Sequence, residues 1–273
     1  EWMSHKTYAF ISDGGIQEEI SQGGGRIAGF LGLHNLIMFY DSNDIQLSTD
    51  TYEVTTEDTA KKYEAWGWNV NTINGNDANE IRKALSEAQN ETDKPTLIIG
   101  KTIMGKGALT EDGESFERKC STHGQPLSAA GASFTNTIKN LGGDPENPFR
   151  IFPEVQNLYT ARKKALISFA QQKKAEQAQW ERKNPELAAK LTKFFSKETP
   201  AIDYKKIEHK AGLATRAASS KVLSVLADEL ENMIVASADL SNSDKTDGFL
   251  KKTKAFIKGD FSGRFVQTGV SEL

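Results

Sequence analysis

The sequence predicts an α/β fold: a parallel sheet with helices on both faces, then a helical connector and the start of a second α/β domain. Three observations carry that prediction. From Thr7 to Lys101, strand-like and helix-like segments alternate, the order that yields parallel strands joined by helical crossovers. Leu36 to Tyr40 is a continuous apolar run, as a strand buried on both faces requires. Asp77 followed three residues later by Glu80 is a capping-box-like helix start, set between two strand-like runs.

Thr7 to Ile11 is short and β-prone, and Asp13-Gly14-Gly15 breaks it. Gln17 to Leu31 reads as a helix weakened by glycines in its middle. After the Leu36–Tyr40 strand and a polar loop, Thr56 to Trp66 looks helical and Trp68 to Ile73 a strand. Asp77 opens a helix through Gln89, and Thr96 to Ile99 closes the series. Gly105 to Phe149 is punctuated by Gly and Pro. It reads as loop with a short helix at Ala129 to Asn140, ended by Gly142-Gly143-Asp144-Pro145.

From Val155 to Ser196, Lys, Gln, Glu and Ala dominate. Asn184 before Pro185 is a helix start, and Leu187, Leu191 and Phe194 mark one face. Glu176, Glu181 and Glu186 interleave with the lysines, so the stretch reads as a solvated connector rather than a basic binding surface. Beyond Pro200 come an amphipathic helix at Ala217 to Leu230 and strands at Met233 to Ser237 and Phe265 to Gln267. The expected division is residues 1–150, 151–205 and 206–273.

Bulk properties exclude several classes. Of the 273 residues, 37% are hydrophobic and 26% charged, with a formal charge of -3, an ordinary globular balance. No basic excess exists to neutralise phosphates, so neither nucleic acid nor a membrane surface is an expected partner. The single cysteine, Cys120, rules out an internal disulfide and suits a reducing compartment. No apolar run approaches the roughly 20 residues that span a bilayer. No charged-then-apolar leader opens the chain, and the cytoplasm is the expected location. The start at Glu1 and the stop at Leu273 suggest a piece of something longer.

Asp13 and Asn43 carry the candidate chemistry. They lie thirty residues apart at the carboxyl ends of two successive strands. In an open parallel sheet, ligands bind at such ends, at a topological switch point. One charged and one neutral oxygen suit a hard cation such as Mg²⁺, which takes its remaining ligands from substrate phosphate and water. Gly14 and Gly15 let the backbone approach an anion, with a helix N-terminus behind them. Taken singly, an Asp-Gly-Gly turn and a strand-ending Asn are ordinary turn residues.

Several motifs in order resemble the transketolase family. Asp13-Gly14, Glu18 and Asp41-Ser42-Asn43-Asp44-Ile45 resemble its thiamine diphosphate motif. Leu31-Gly32-Leu33-His34-Asn35-Leu36-Ile37, Tyr63-Glu64-Ala65-Trp66-Gly67-Trp68, Lys94-Pro95-Thr96-Leu97-Ile98 and His123-Gly124-Gln125-Pro126-Leu127 follow. Ala214-Thr215-Arg216, Ser237-Ala238-Asp239-Leu240, Phe261-Ser262-Gly263-Arg264 and Gly269-Val270-Ser271-Glu272 complete the series.

The resemblance implies a thiamine-diphosphate-binding fold, with residues 1–150 the C-terminal part of a diphosphate-binding domain and 206–273 the beginning of a pyrimidine-binding domain. It implies that Asp13, Asn43 and the carbonyl of Ile45 hold Mg²⁺, for which Ca²⁺ or Mn²⁺ could substitute. Gly14 would contact the diphosphate. His123 would lie near the diphosphate and the reacting carbon, where an imidazole can pass protons. Read alone, His123 is a loop histidine three residues after Cys120, and one such pair is poor evidence for zinc. Arg216 and Ser243 would bind the sugar phosphate, Asp239 would sit beside the thiazolium, and Glu272 would bond the aminopyrimidine ring. Read alone, Arg216, Asp239 and Glu272 are a helix-start arginine, a strand-end aspartate and a helix-opening glutamate.

The implied activity is ketol transfer between phosphorylated sugars in the pentose phosphate pathway, by a homodimer with active sites between subunits. The 273 residues alone would be inactive. Departures from the family pattern are Ser12 for a glycine, Gly23 for a glutamate of a dimer-interface proton network, and Ser271 and Leu273 for Arg and His. The rival readings are an enzyme like deoxyxylulose-phosphate synthase and a non-catalytic segment that only binds a partner. The His123 loop and Arg216 after a long connector favour transketolase over the first.

Overall fold

Four parallel strands form the first sheet. They are β1 (Thr7–Ser12), β2 (Leu36–Ser42), β3 (Asn69–Asn74) and β4 (Thr96–Lys101), in the order β1-β2-β4-β3. Register is regular: Phe10 pairs with Phe39, Phe39 with Ile98, and Asn71 with Ile98. The computed structural model describes residues 2–196, 198 and 200–271. It divides into two units, one comprising residues up to Gly25 with Leu33–Gln177, the other Arg26–Gly32 with residues from Ala178 onward.

Helices α1 (Asp13–Gln17), α2 (Glu19–Leu31), α3 (Thr59–Ala65) and α4 (Ala78–Gln89) connect the strands. Helix α4 covers one sheet face, where Ala84 and Ala88 pack on Ile37 and Ile98, flanked by Phe39 and Ile73. On the other face, Tyr40, Thr72 and Ile99 share a cavity wall with Ile16 of α1 and Ala60 of α3. Strand β2 is therefore enclosed from both sides, as its apolar run requires.

Strand β1 ends at Ser12, and Asp13-Gly14-Gly15 opens α1 directly, with Ser12 Oγ accepting from Gly15 N at 3.4 Å as an N-cap. The helix expected at Gln17–Leu31 starts earlier and is divided at Glu18, whose extended ψ of 131° separates α1 from α2. One glycine of α2 also finds a reason. A Cβ on Gly25 would meet Tyr63 at 3.1 Å and Trp66 at 3.3 Å, and the Gly25 carbonyl accepts from Trp68 Nε1 at 2.7 Å. Close approach of helix and aromatic cluster outweighs the helix propensity lost.

Smaller shifts follow from caps. Helix α3 starts at Thr59 rather than Thr56, because the Asp58 carboxylate accepts from Lys61 N. Asp77 caps α4 as expected, while Glu80 reaches the Asn74 N–H instead of closing the box. The helix expected at Ala129–Asn140 is two, α5 (Leu127–Ala130) and α6 (Phe134–Asn140). Gly131 at φ 112° ends the first and Ser133 caps the second.

Helix α7 (Pro153–Lys183) has no buried residue among those described, in keeping with a solvated connector. At Asn184 the chain passes into α8 (Pro185–Phe195), with Pro185 in the first turn. The remainder contains α9 (Thr215–Glu229), β5 (Val235–Ser237), α10 (Asp247–Leu250) and β6 (Phe265–Gln267). Strands β5 and β6 are parallel neighbours. Ala227, Phe249 and Phe265 form their small core. Arg264 donates to the carbonyls of Ala227 and Leu230, both at 2.6 Å, and thereby caps the end of α9. Among the described residues, no helix is long and apolar enough to cross a membrane.

Candidate functional site

Because β1 and β2 are adjacent and in parallel register, with Ser12 opposite Asp41, their carboxyl ends bring Asp13 to the loop that carries Asn43. The expected topological switch point is not found between them. The crossover from β1 and that from β2 run in the same direction across the described sheet. A hydrogen-bonded clamp holds the two segments together instead. Asp13 Oδ2 accepts from the backbone N–H groups of Asn43 at 3.0 Å and Asp44 at 3.1 Å. Asp13 Oδ1 accepts from the Tyr40 hydroxyl at 2.6 Å.

The loop is braced from other sides as well. Asn43 Oδ1 accepts from Ile45 N at 3.1 Å, a local turn that fixes the amide. Lys101 Nζ donates to Ser42 Oγ at 2.8 Å and to Asp44 at 3.3 Å, and the Thr102 hydroxyl donates to Asp41. Gln17 Nε2 bridges the Asp13 carbonyl and Gln46 Oε1. Asp44 takes a φ of 67°, a left-handed conformation that Asp tolerates better than most residues.

Asp13 is only 1% exposed. Burial pushes its carboxyl above the ordinary carboxylate range, while the Tyr40 hydroxyl and the Asn43 and Asp44 N–H groups act in the opposite direction. Burial and the bond to Asp13 likewise push the Tyr40 phenol up, so it remains a donor.

Asp13, Gly14, Asn43, Ile45 and His123 line one cavity of about 630 Å³. A Cβ built on Gly14 would have no neighbour within 4 Å, so its backbone faces open space. His123 follows the turn Cys120–Thr122, and its Nδ1 is buried with no hydrogen-bond partner. An orphaned buried nitrogen is costly unless a ligand or water completes it. Cys120 donates to Asp50 at 3.6 Å, and burial pushes its thiol up, away from the thiolate that zinc would need.

Among the described residues, no three His, Cys, Asp or Glu side chains converge as a metal cluster. A cation at Asp13 and Asn43 must therefore complete its shell with backbone carbonyls, water and oxygens of a bound anion. That requirement fits a hard divalent cation paired with a phosphate group.

Of the expected phosphate-binding residues, Arg216 reaches the backbone of Ser243. Arg216, exposed in the first turn of α9, donates to the Ser243 carbonyl at 3.4 Å. Asp239 follows β5 with a φ of 63°. Glu272 lies outside the described residues. Sequence reasoning missed Tyr40, Lys101 and Thr102, although a tyrosine ending a doubly buried strand signals a polar tip needing a partner.

Comparison with known proteins is consistent along the chain. The family model described as "Transketolase, thiamine diphosphate binding domain" matches residues 1–200. A transketolase from Streptococcus pyogenes is 34% identical, over 99% of this chain and 36% of its own length. Transketolase 2 of Escherichia coli is 34% identical, over 100% of this chain and 40% of its own length. Among solved structures, transketolase from Leishmania mexicana superposes with a TM-score of 0.88 at 27% identity, covering 99% of this chain and 40% of that one. A Pichia stipitis transketolase in complex with sedoheptulose 7-phosphate gives 0.85 at 31%, covering 98% and 40%. The chain thus spans well under half the length of these relatives.

Proposed function

We infer the function from the family: this chain belongs to the transketolases, and it supplies part of an enzyme that moves a two-carbon ketol unit from a ketose phosphate to an aldose phosphate with thiamine diphosphate and Mg²⁺. The observation that carries the reading is the cavity shared by Asp13, Gly14, Asn43, Ile45 and His123. Asp13 and Asn43 would hold the cation through side-chain oxygens and Ile45 through its carbonyl. Gly14 would offer its backbone to the diphosphate. When bound, thiamine diphosphate supplies the carbon nucleophile and the electron sink for carbon–carbon cleavage.

This chain's residues supply orientation and proton traffic. His123 would hold or pass a proton at its unpartnered Nδ1. Arg216 would grip the sugar phosphate as a charged fork, with Ser243 as a hydroxyl donor. Asp239 would sit beside the thiazolium, and Glu272 would bond the aminopyrimidine. The proposed division remains a diphosphate-binding part at 1–150, a connector at 151–205 and a pyrimidine-binding part from 206. The whole enzyme would be a cytoplasmic homodimer, with Asp13 and Glu272 of one chain serving different sites.

The test uses the full-length protein that carries this segment. Calorimetry of thiamine diphosphate with and without Mg²⁺ should show metal-dependent binding that Asn43→Ala weakens. Equal affinity in both proteins would remove Asn43 from the metal role. Ketol transfer from xylulose 5-phosphate to ribose 5-phosphate by the wild type separates the enzyme from a module that only binds a partner.

A further inference from the structure

We propose that Tyr40 is a positioning residue of the metal site, directing Asp13 to bind the cation through Oδ1 alone. The proposal rests on reading Asp13 as a metal ligand and adds how it is aimed. A carboxylate offers about four lone-pair positions, two on each oxygen. On Oδ2 both are taken, by the N–H groups of Asn43 at 3.0 Å and Asp44 at 3.1 Å. On Oδ1 one is taken, by the Tyr40 hydroxyl at 2.6 Å. A single position remains, and it belongs to Oδ1.

Withdrawing Oδ2 for a cation would strand one of two backbone N–H groups of the loop, and the residue that owns one of them, Asn43, is itself buried. Such groups are costly to leave unsatisfied. Using the last position on Oδ1 breaks no existing bond. Tyr40 can hold that geometry because its own position is rigid. It lies in β2, paired with Ile11 on one side and Ile99 on the other, and is 7% exposed. A hydroxyl donating to a carboxylate forms a short, strong bond that sets the rotation of the carboxyl plane. A donor that hydrogen-bonds a metal ligand in this way orients it and tunes its affinity for the metal. Lys101 and Thr102 brace the opposite side of the same loop through Ser42, Asp44 and Asp41, and Gln17 reaches only the Asp13 carbonyl, so among the described residues Tyr40 is the side chain that bonds the Asp13 carboxylate.

The experiment compares full-length wild type, Tyr40→Phe and Asn43→Ala. Each is titrated with Mg²⁺ at fixed thiamine diphosphate, followed by tryptophan fluorescence or calorimetry, with metal-free melting recorded alongside. Tyr40→Phe keeps the ring and removes one oxygen. It should raise the half-saturating Mg²⁺ about 10- to 100-fold, and saturating Mg²⁺ should restore wild-type cofactor affinity. An unchanged Mg²⁺ half-saturation overturns the assignment, as does a loss that saturating Mg²⁺ cannot restore, which is how a packing defect would appear. Should wild-type binding prove independent of Mg²⁺, or Asn43→Ala match the wild type, the metal reading itself fails and takes Tyr40 with it. Should those two behave as expected while Tyr40→Phe matches the wild type, only the role of Tyr40 falls.

Discussion

At the scale of single residues, Arg216 offers the sharpest separation of binding from folding. Its guanidinium is exposed and its one described bond is a long one, 3.4 Å to the Ser243 carbonyl. Little of the fold depends on it. Replacing it with alanine should therefore leave melting unchanged and remove the proposed charge-assisted contact to phosphate, about 1.5–3 kcal/mol. That loss should appear in kcat/KM for phosphorylated donors and spare hydroxypyruvate, which has no phosphate. Equal losses with both donors would indicate a folding defect. Asp13 stands at the other extreme, buried and clamped by three donors, so it is a structural and a candidate metal residue together.

Among the elements, β4 leaves no room for a side chain at Gly100. Gly100 pairs with Asp41 and Ile73, and a Cβ there would lie 2.3 Å from Phe39 Cζ. A glycine inside a strand marks such a close approach. Gly100→Ala should destabilise the protein by about 1–3 kcal/mol through overpacking. The cost should fall toward the low end, because the Phe39 ring borders a cavity of about 600 Å³ into which it can turn. Urea melts of the two full-length proteins check this, and equal midpoints would show that Phe39 yields without cost.

On the scale of the whole molecule, the 273 residues correspond to 36–40% of the relatives' length, and the described surface is apolar in consistent places. Phe10 in β1 is 83% exposed and Tyr8 is 49% exposed, on the same sheet face as Phe39. Strand β1 is also an edge of the described sheet. Exposed edges and apolar faces invite association. A polypeptide of these 273 residues alone should accordingly show no measurable ketol transfer and bind thiamine diphosphate weakly. Incubation with Mg²⁺, cofactor, xylulose 5-phosphate and ribose 5-phosphate, with products followed over time, provides the check. Robust turnover would mean that this segment is self-sufficient.

Much of the architecture was legible in the sequence because it rests on local patterns. The apolar run at Leu36–Tyr40, the cap at Asp77, the helix start at Asn184-Pro185, and the alternation of elements depend on residues near each other in the chain. So does the placement of Asp13 and Asn43 at strand ends. Other features depended on contacts between distant segments. Gly25 is tolerated within α2 because Tyr63 and Trp66 press against it. Strand order, not periodicity, decided that β1 and β2 are neighbours with crossovers in one direction. The Tyr40–Asp13 bond joins residues 27 apart, and no periodic pattern encodes it. Hydrophobic period and capping are local in sequence, so a single chain displays them; the partners of a buried polar group are chosen in three dimensions, and only the folded structure decides them.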